Sequence, residues 1–200
     1  MGRPKTHDRW VADALVDAAE ALADDGGPGA VSVRAVAQRS GTTTRAVYSL
    51  FGSKAGLVAA LGARMFELLG EGVAAVPATD DPAADLVEAG VGVFRRLSVE
   101  RPALFQIGVQ QTAVDAAVVH EFIPAASDAF LILQARFERL RDAGGLPGRT
   151  VLTAAVQFHA LCEGLAAIEL RGSLPATGGE TWWREALSTL LDGMSQPPKG

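Results

Sequence analysis

Apolar residues near the start of the chain recur at helical spacing. Trp10, Val11, Ala14, Leu15, Ala18, Ala19 and Leu22 return every three to four positions, the period of one helix face. Asp8 stands where an N-cap belongs and Gly26-Gly27 supplies a stop, so an amphipathic helix is predicted between them. After Pro28-Gly29, Ser32 can cap a short second helix from Val33 to about Arg39, with Val33, Val36 and Ala37 facing inward. Gly41 ends it. Thr43 can cap a third helix running through Ala46, Val47 and Leu50 to Phe51, and Gly52-Ser53 breaks and recaps the chain into a fourth.

The remainder reads the same way, with breaks at Pro77 to Pro82, Pro102, Pro124, Gly144 to Gly148 and Gly172 to Gly179. Helices are expected over about 83–100, 103–122, 125–142, 149–171 and 181–194, and no stretch has the alternation of a strand. The class is all-α, with about nine helices. The punctuation divides the chain into a head, 1–52, and a larger body, 53–200, whose first helix is shared with the head. The segment 149–171 is apolar on nearly every face, as a helix buried on two sides must be. One side can face its own domain and the other a partner, with Ala160, Gly164 and Ala167 permitting close approach.

Composition narrows the class. At 48% hydrophobic and 20% charged, the chain has ample core, which excludes general disorder. The longest uncharged runs, 102–114 and 150–162, are 13 residues each, short of the roughly 18 that span a bilayer, so a soluble protein is expected. Gly2 with Thr6 matches the loose myristoylation pattern, which is short enough to arise by chance. The one cysteine, Cys162, cannot close an internal disulfide, and with no apolar stretch after the basic start, the cytoplasm is the expected compartment.

Net charge is −5, yet it is unevenly placed. Residues 32–54 hold Arg34, Arg39, Arg45 and Lys54 and no acid, whereas 55–200 hold 11 basic and 17 acidic side chains. A small basic island sits on an acidic chain. The island coincides with two short helices around a glycine turn, the pattern of a helix-turn-helix whose second helix enters a DNA major groove. Any helical hairpin shows that spacing. The outward residues are more telling: Thr43, Thr44 and Arg45 put short hydroxyls and a guanidinium where base edges would be, and Arg is the commonest reader of guanine. Tyr48 follows one turn on. Lys54 opens a helix, where the macrodipole disfavours a cation unless an anion is near, and a phosphate would satisfy both. Arg34 offers a further phosphate contact. The terminal Arg3, Lys5 and Arg9 can reach the DNA backbone or simply fray.

The run Val31-Ser-Val-Arg-Ala-Val-Ala-Gln-Arg-Ser-Gly-Thr-Thr-Thr-Arg-Ala-Val-Tyr-Ser-Leu-Phe-Gly-Ser-Lys-Ala-Gly-Leu57 resembles the DNA-binding head of the TetR family of transcriptional regulators, in register over about 50 residues. The resemblance implies an all-helical homodimer whose heads bind operator duplex DNA and whose bodies bind a small inducer. It also implies DNA-facing positions for Thr43, Thr44, Arg45, Tyr48 and Lys54, and repression relieved by the inducer. Leu50 departs from the pattern: many relatives carry Tyr or His there, so a phosphate contact is lost or replaced by packing. The segment from Phe158 to Gly172 is similar to a motif in the body of many relatives.

On that resemblance the inducer pocket is expected among the fourth to eighth helices. Phe94, Phe105, Phe130 and Phe137 would supply walls, and Gln106, Gln110 and His159 polarity. The dimer interface is expected on Leu161, Leu165 and Ile168 of the 149–171 helix and on Trp183, Leu187 and Leu190 of the 181–194 helix. His159, Cys162 and Glu163 share a helix face, but three donors on one turn are not a metal site, and no metal or cofactor is expected. No Ser-His-Asp set, phosphate loop or carboxylate pair points to catalysis. The rival reading is a regulator-like helical binding module whose head has lost specific DNA binding, and Leu50 is its argument.

Overall fold

In the computed structural model, residues 5–110, 120–173 and 178–197 are described, with side chains from Arg9 onward. Arg3, the Lys5 side chain, the end of the chain and positions 111–119 of the expected 103–122 helix lie outside them. The described residues form nine helices and no strand. These are α1 (Lys5–Gly26), α2 (Val33–Arg39), α3 (Thr44–Phe51), α4 (Lys54–Ala75), α5 (82–100), α6 (Pro102–Gly108), α7 (Ile123–Asp142), α8 (Val151–Leu170) and α9 (Gly179–Met194), with a short 3-10 turn at Pro28–Ala30. The all-α expectation stands.

Several boundaries differ from the sequence reading. Asp8 lies inside α1, which begins at Lys5, so it does not cap the helix. The free N–H groups of a first turn need no side-chain cap where water can take them. Pro124 sits in the first turn of α7 rather than before it, a position where the missing N–H costs nothing. The expected helix over 103–122 is cut short, because after Gly108 the N–H groups of Val109 and Gln110 both turn back to the Phe105 carbonyl.

The chain folds as two compact units that do not follow chain order: residues 1–66 with 101–126, and residues 67–100 with 127–200. In the first, Leu15, Val36, Val47, Leu57, Leu61, Leu104 and Ile107 are wholly buried, and Phe66 stacks on Phe122 at 6.0 Å. In the second, Phe137 meets Phe158 edge-on at 5.5 Å, and Trp183 and Leu187 are wholly buried.

Helix α5 is continuous but uneven. Asp81 caps it by accepting from the Ala83 and Ala84 N–H groups, and wide π turns over Ala89–Arg95 separate its two α-helical ends. Gly90 lies in the wide stretch. A Cβ there would stand 2.4 Å from Leu187 Cδ1 and 3.2 Å from Phe158 Cζ, so only glycine lets α5 approach α8 and α9 this closely. Arg95 then donates two hydrogen bonds to Glu169 of α8, at 3.2 and 2.8 Å, and Glu169 also accepts from Trp183 Nε1 at 2.8 Å.

Arginines of α7 hold the connection between α4 and α5. Arg136 donates to the carbonyls of Val73, Ala74 and Val76. Arg139 binds Asp85 at 2.6 Å and the Thr79 carbonyl. Asp85 is buried, which alone would raise its pKa, but hydrogen bonds from the Thr79 hydroxyl, Arg139 and the Thr79 N–H outweigh that and lower it to about 2.

Helix α8 is long and apolar enough, by length and composition, to cross a membrane. Its Ala154, Ala155, Phe158, Cys162 and Ala166 are nonetheless buried within its own unit. Burial pushes the Cys162 thiol pKa up.

Candidate nucleic-acid interface

The local signals that define α2 and α3 are all made. Ser32 Oγ accepts from the Ala35 N–H at 3.2 Å, and Thr43 Oγ1 accepts from the Ala46 N–H at 3.3 Å. Gly41 takes φ +66° in the turn between them, a left-handed conformation that costs glycine little, and the Thr42 N–H returns to the Ala37 carbonyl at 2.9 Å. Gly52, at φ +69°, ends α3 with its N–H on the Tyr48 carbonyl. Ser53 Oγ then accepts from the Gly56 N–H at 3.0 Å, which makes Lys54 the first residue of α4, and the two helix axes bend by 66°.

Helix α3 is strongly two-faced. Val47 is wholly buried, with Leu50 and Phe51 half-buried on the same side. Thr44, Arg45, Tyr48 and Ser49 stand exposed on the opposite arc, preceded by exposed Thr43 and followed by exposed Lys54. Half of the Tyr48 surface is open. Leu50 lies with the inward residues, half-buried.

Cations divide into committed and free. Arg39 is exposed but pairs with Asp25 of α1 at 2.7 Å, so it serves the head's own structure. Among the described residues, Arg34, Arg45 and Lys54 are exposed and make no ion pair. The six residues expected at DNA are therefore all on the surface.

The family model of bacterial regulatory proteins, tetR family, matches residues 15–61, which contain α2, the glycine turn and α3. Residues 15–61 carry the TetR-type head. Solved structures agree in fold along nearly the whole length. A protein of unknown function from Rhodococcus sp. RHA1 has a TM-score of 0.79 at 18% identity, covering 93% of this chain and 96% of its own. A TetR transcriptional regulator from the same organism has a TM-score of 0.63 at 24% identity, covering 94% and 98%. FadR from Bacillus subtilis in complex with stearoyl-CoA has a TM-score of 0.71 at 12% identity, covering 90% and 98%. Among curated proteins no relative matches. The TetR head and fold support DNA-binding transcription regulation, the work of a non-enzymatic class of proteins.

In the body, the expected pocket residues separate. Phe94 and Phe130 both approach His159 edge-on, at 5.6 and 6.2 Å, within the second unit. Burial lowers the His159 pKa despite Glu163 at 3.9 Å, so its imidazole is held neutral. Phe105 is wholly buried in the first unit, where Gln106 and Gln110 are half-buried. Phe137 packs on Phe158 as core. The second unit also contains a cleft of about 260 Å³, lined by arginines and glutamates (Arg95, Arg96, Arg184, Glu88, Glu100, Glu180) with Val91, Gly92 and Val99, and by none of the expected aromatics. Among the described residues no group of three His, Cys, Asp or Glu could hold a metal.

The expected interface residues separate too. Leu161, Leu165, Ile168 and Leu190 are half-exposed. Trp183 and Leu187 are a correction: both are wholly buried inside this chain, so neither is available to a partner. Trp182 is 45% exposed and Val156 50%. Trp183 is the residue that sequence reasoning misplaced and Trp182 the one exposed in its stead, because adjacent tryptophans carry the same apolar signal and only the phase of α9 says which one faces out.

Proposed function

We propose that this chain is a ligand-responsive regulator of the TetR family that represses transcription from an operator until a small molecule releases it. The observation that carries the reading is the outward arc of α3, with Thr44, Arg45 and Tyr48 exposed beside an unpaired Lys54 at the start of α4. Arg45 reads a base edge with the Thr43 and Thr44 hydroxyls beside it, Tyr48 reaches the backbone, and Lys54 and Arg34 neutralise phosphates. Residues 1–52 form the DNA-binding part and 53–200 the part that binds ligand and dimerises, within the cytoplasm.

Dimerisation follows from the half-exposed Leu161, Leu165, Ile168 and Leu190 together with Trp182, an apolar face that a two-fold partner buries on itself. Paired heads read half-sites about 34 Å apart or a multiple of that. The ligand sits in the body with Phe94 and Phe130 as aromatic walls and His159 as the polar group, and Phe105, Gln106 and Gln110 are further candidates. FadR was solved with stearoyl-CoA, which makes a ligand with a long acyl chain one candidate here. Such a ligand acts only as far as it prefers one head spacing over another, by about 1–3 kcal/mol.

Selection of bound duplexes from a random pool tests the reading. Arg45→Ala is expected to relax preference at one base position at a cost of roughly 1–3 kcal/mol, while Lys54→Ala weakens every sequence alike and lowers the salt slope by about one. Failure to enrich any sequence would favour the binding-module alternative.

A further inference from the structure

The end of α1 carries three carboxylates, and each meets an arginine from a different part of the first unit. Arg39 of α2 lies 2.7 Å from Asp25 Oδ2. Arg64 of α4 has Nε 3.8 Å from Glu20 Oε2. Arg101, the residue before α6, donates from Nε to Asp24 Oδ2 at 3.0 Å, and its Nη2 reaches both Asp24, at 2.9 Å, and Glu20 Oε1. These contacts are unequal. The Arg39–Asp25 pair is open to water and contributes little. Glu20 is only 8% exposed, and a carboxylate so withdrawn is strongly disfavoured if its partner is removed.

Helix α1 packs on α2, α3 and α6, so whatever fixes its end also sets the two helices of the DNA-binding motif. Arg101 is also the residue at which the chain returns to the first unit, directly after Glu100 of the second, and Pro102 stiffens the next step. We propose that Arg101 is a positioning residue for DNA recognition, holding Glu20 and Asp24 so that α1 presents α2 and α3 correctly. It ties that arrangement to the backbone arriving from residue 100. The inference rests on α3 being the DNA-reading helix, and Arg101 itself touches no DNA.

The test uses the full chain as wild type, Arg101→Gln, Arg101→Lys and Asp24→Asn, with a duplex selected by the wild type and an unselected duplex of equal length. Arg101→Gln is expected to weaken the selected duplex about fivefold to tenfold. Binding to the unselected one should stay within about twofold, since phosphate contacts are intact. Amide exchange should quicken over 33–51 and not over 151–170, and Arg101→Lys should recover most of the loss by keeping the charge. Equal weakening on both duplexes, or exchange that quickens in both segments alike, would show a generally structural arginine and overturn the proposal. If Arg101→Gln does not fold, Asp24→Asn carries the same expectations in smaller measure. If the wild type selects no duplex, the DNA-binding reading falls, and unchanged exchange over 33–51 in the variants would then sink the positioning role by itself.

Discussion

Helices α3 and α8 begin alike and end up with opposite surfaces. Each follows a threonine whose side chain accepts from the N–H three residues on, Thr43 from Ala46 and Thr150 from Thr153. Helix α3 then exposes threonine, arginine and tyrosine, with its apolar side turned in. Helix α8 exposes Leu152 and Val156, while its acidic Glu169 is turned in upon Arg95 and Trp183. A surface that leaves cations unpaired is suited to an anion that comes and goes with salt. One that pairs its charges internally and exposes leucine and valine is suited to lasting contact with another apolar surface. The two units thus point to two kinds of partner.

The sharpest way to break this contrast lies in two adjacent tryptophans of α9. Trp183→Ala should destabilise the fold by roughly 3–5 kcal/mol, because it opens a cavity and strips Glu169 of a donor. Trp182→Ala should change unfolding by less than about 1 kcal/mol while weakening self-association. Denaturant titration and light scattering over a dilution series read the two effects. Equal costs would mean that the outward face of α9 has been misassigned.

A middle-sized effect separates the units by pH. The Asp85 carboxyl, at about 2 against its ordinary 3.8, contributes stability above the ordinary value that is lost as pH falls toward 2. His159 is lowered, so the unfolded chain takes up its proton first and stability drops as pH falls through the ordinary histidine range. Both groups lie in the second unit. Amide exchange from pH 7 to 3 should therefore show protection failing first over 127–170, and in far-UV melts Asp85→Asn should flatten the acidic limb. Earlier failure over 33–66 would reverse the comparison.

The smallest expected signal is at Cys162. Buried and held as a thiol, it should stay unlabelled by a thiol reagent in the native protein and react fully in denaturant. Rapid native labelling would mean that α8 opens on its inner side.

What could be read from the sequence was local. Ser32, Thr43, Gly41 and Gly52 act within four residues of their partners, so the helix-turn-helix was legible residue by residue. The cap assigned to Asp8 failed because none of the three residues before it, Lys5 to His7, stops a helix. Pairings across many residues left no trace: Arg101 with Glu20, or Arg95 with Glu169, depends on how helices distant in sequence come together. Trp182 and Trp183 differ only by helix phase, which hydrophobicity does not record.

The wide turns of α5 carry a meaning of their own. Glu88 and Arg95 stand seven apart, and in a regular helix they would share one bearing. The π turns between them slow the winding, so the rod changes heading without a break. Glu88 is left to meet Arg184 of α9 while Arg95 meets Glu169 of α8. One continuous helix thereby addresses two neighbours, and a deletion of a single residue from 89–95 would change that heading and leave the two correspondents out of step.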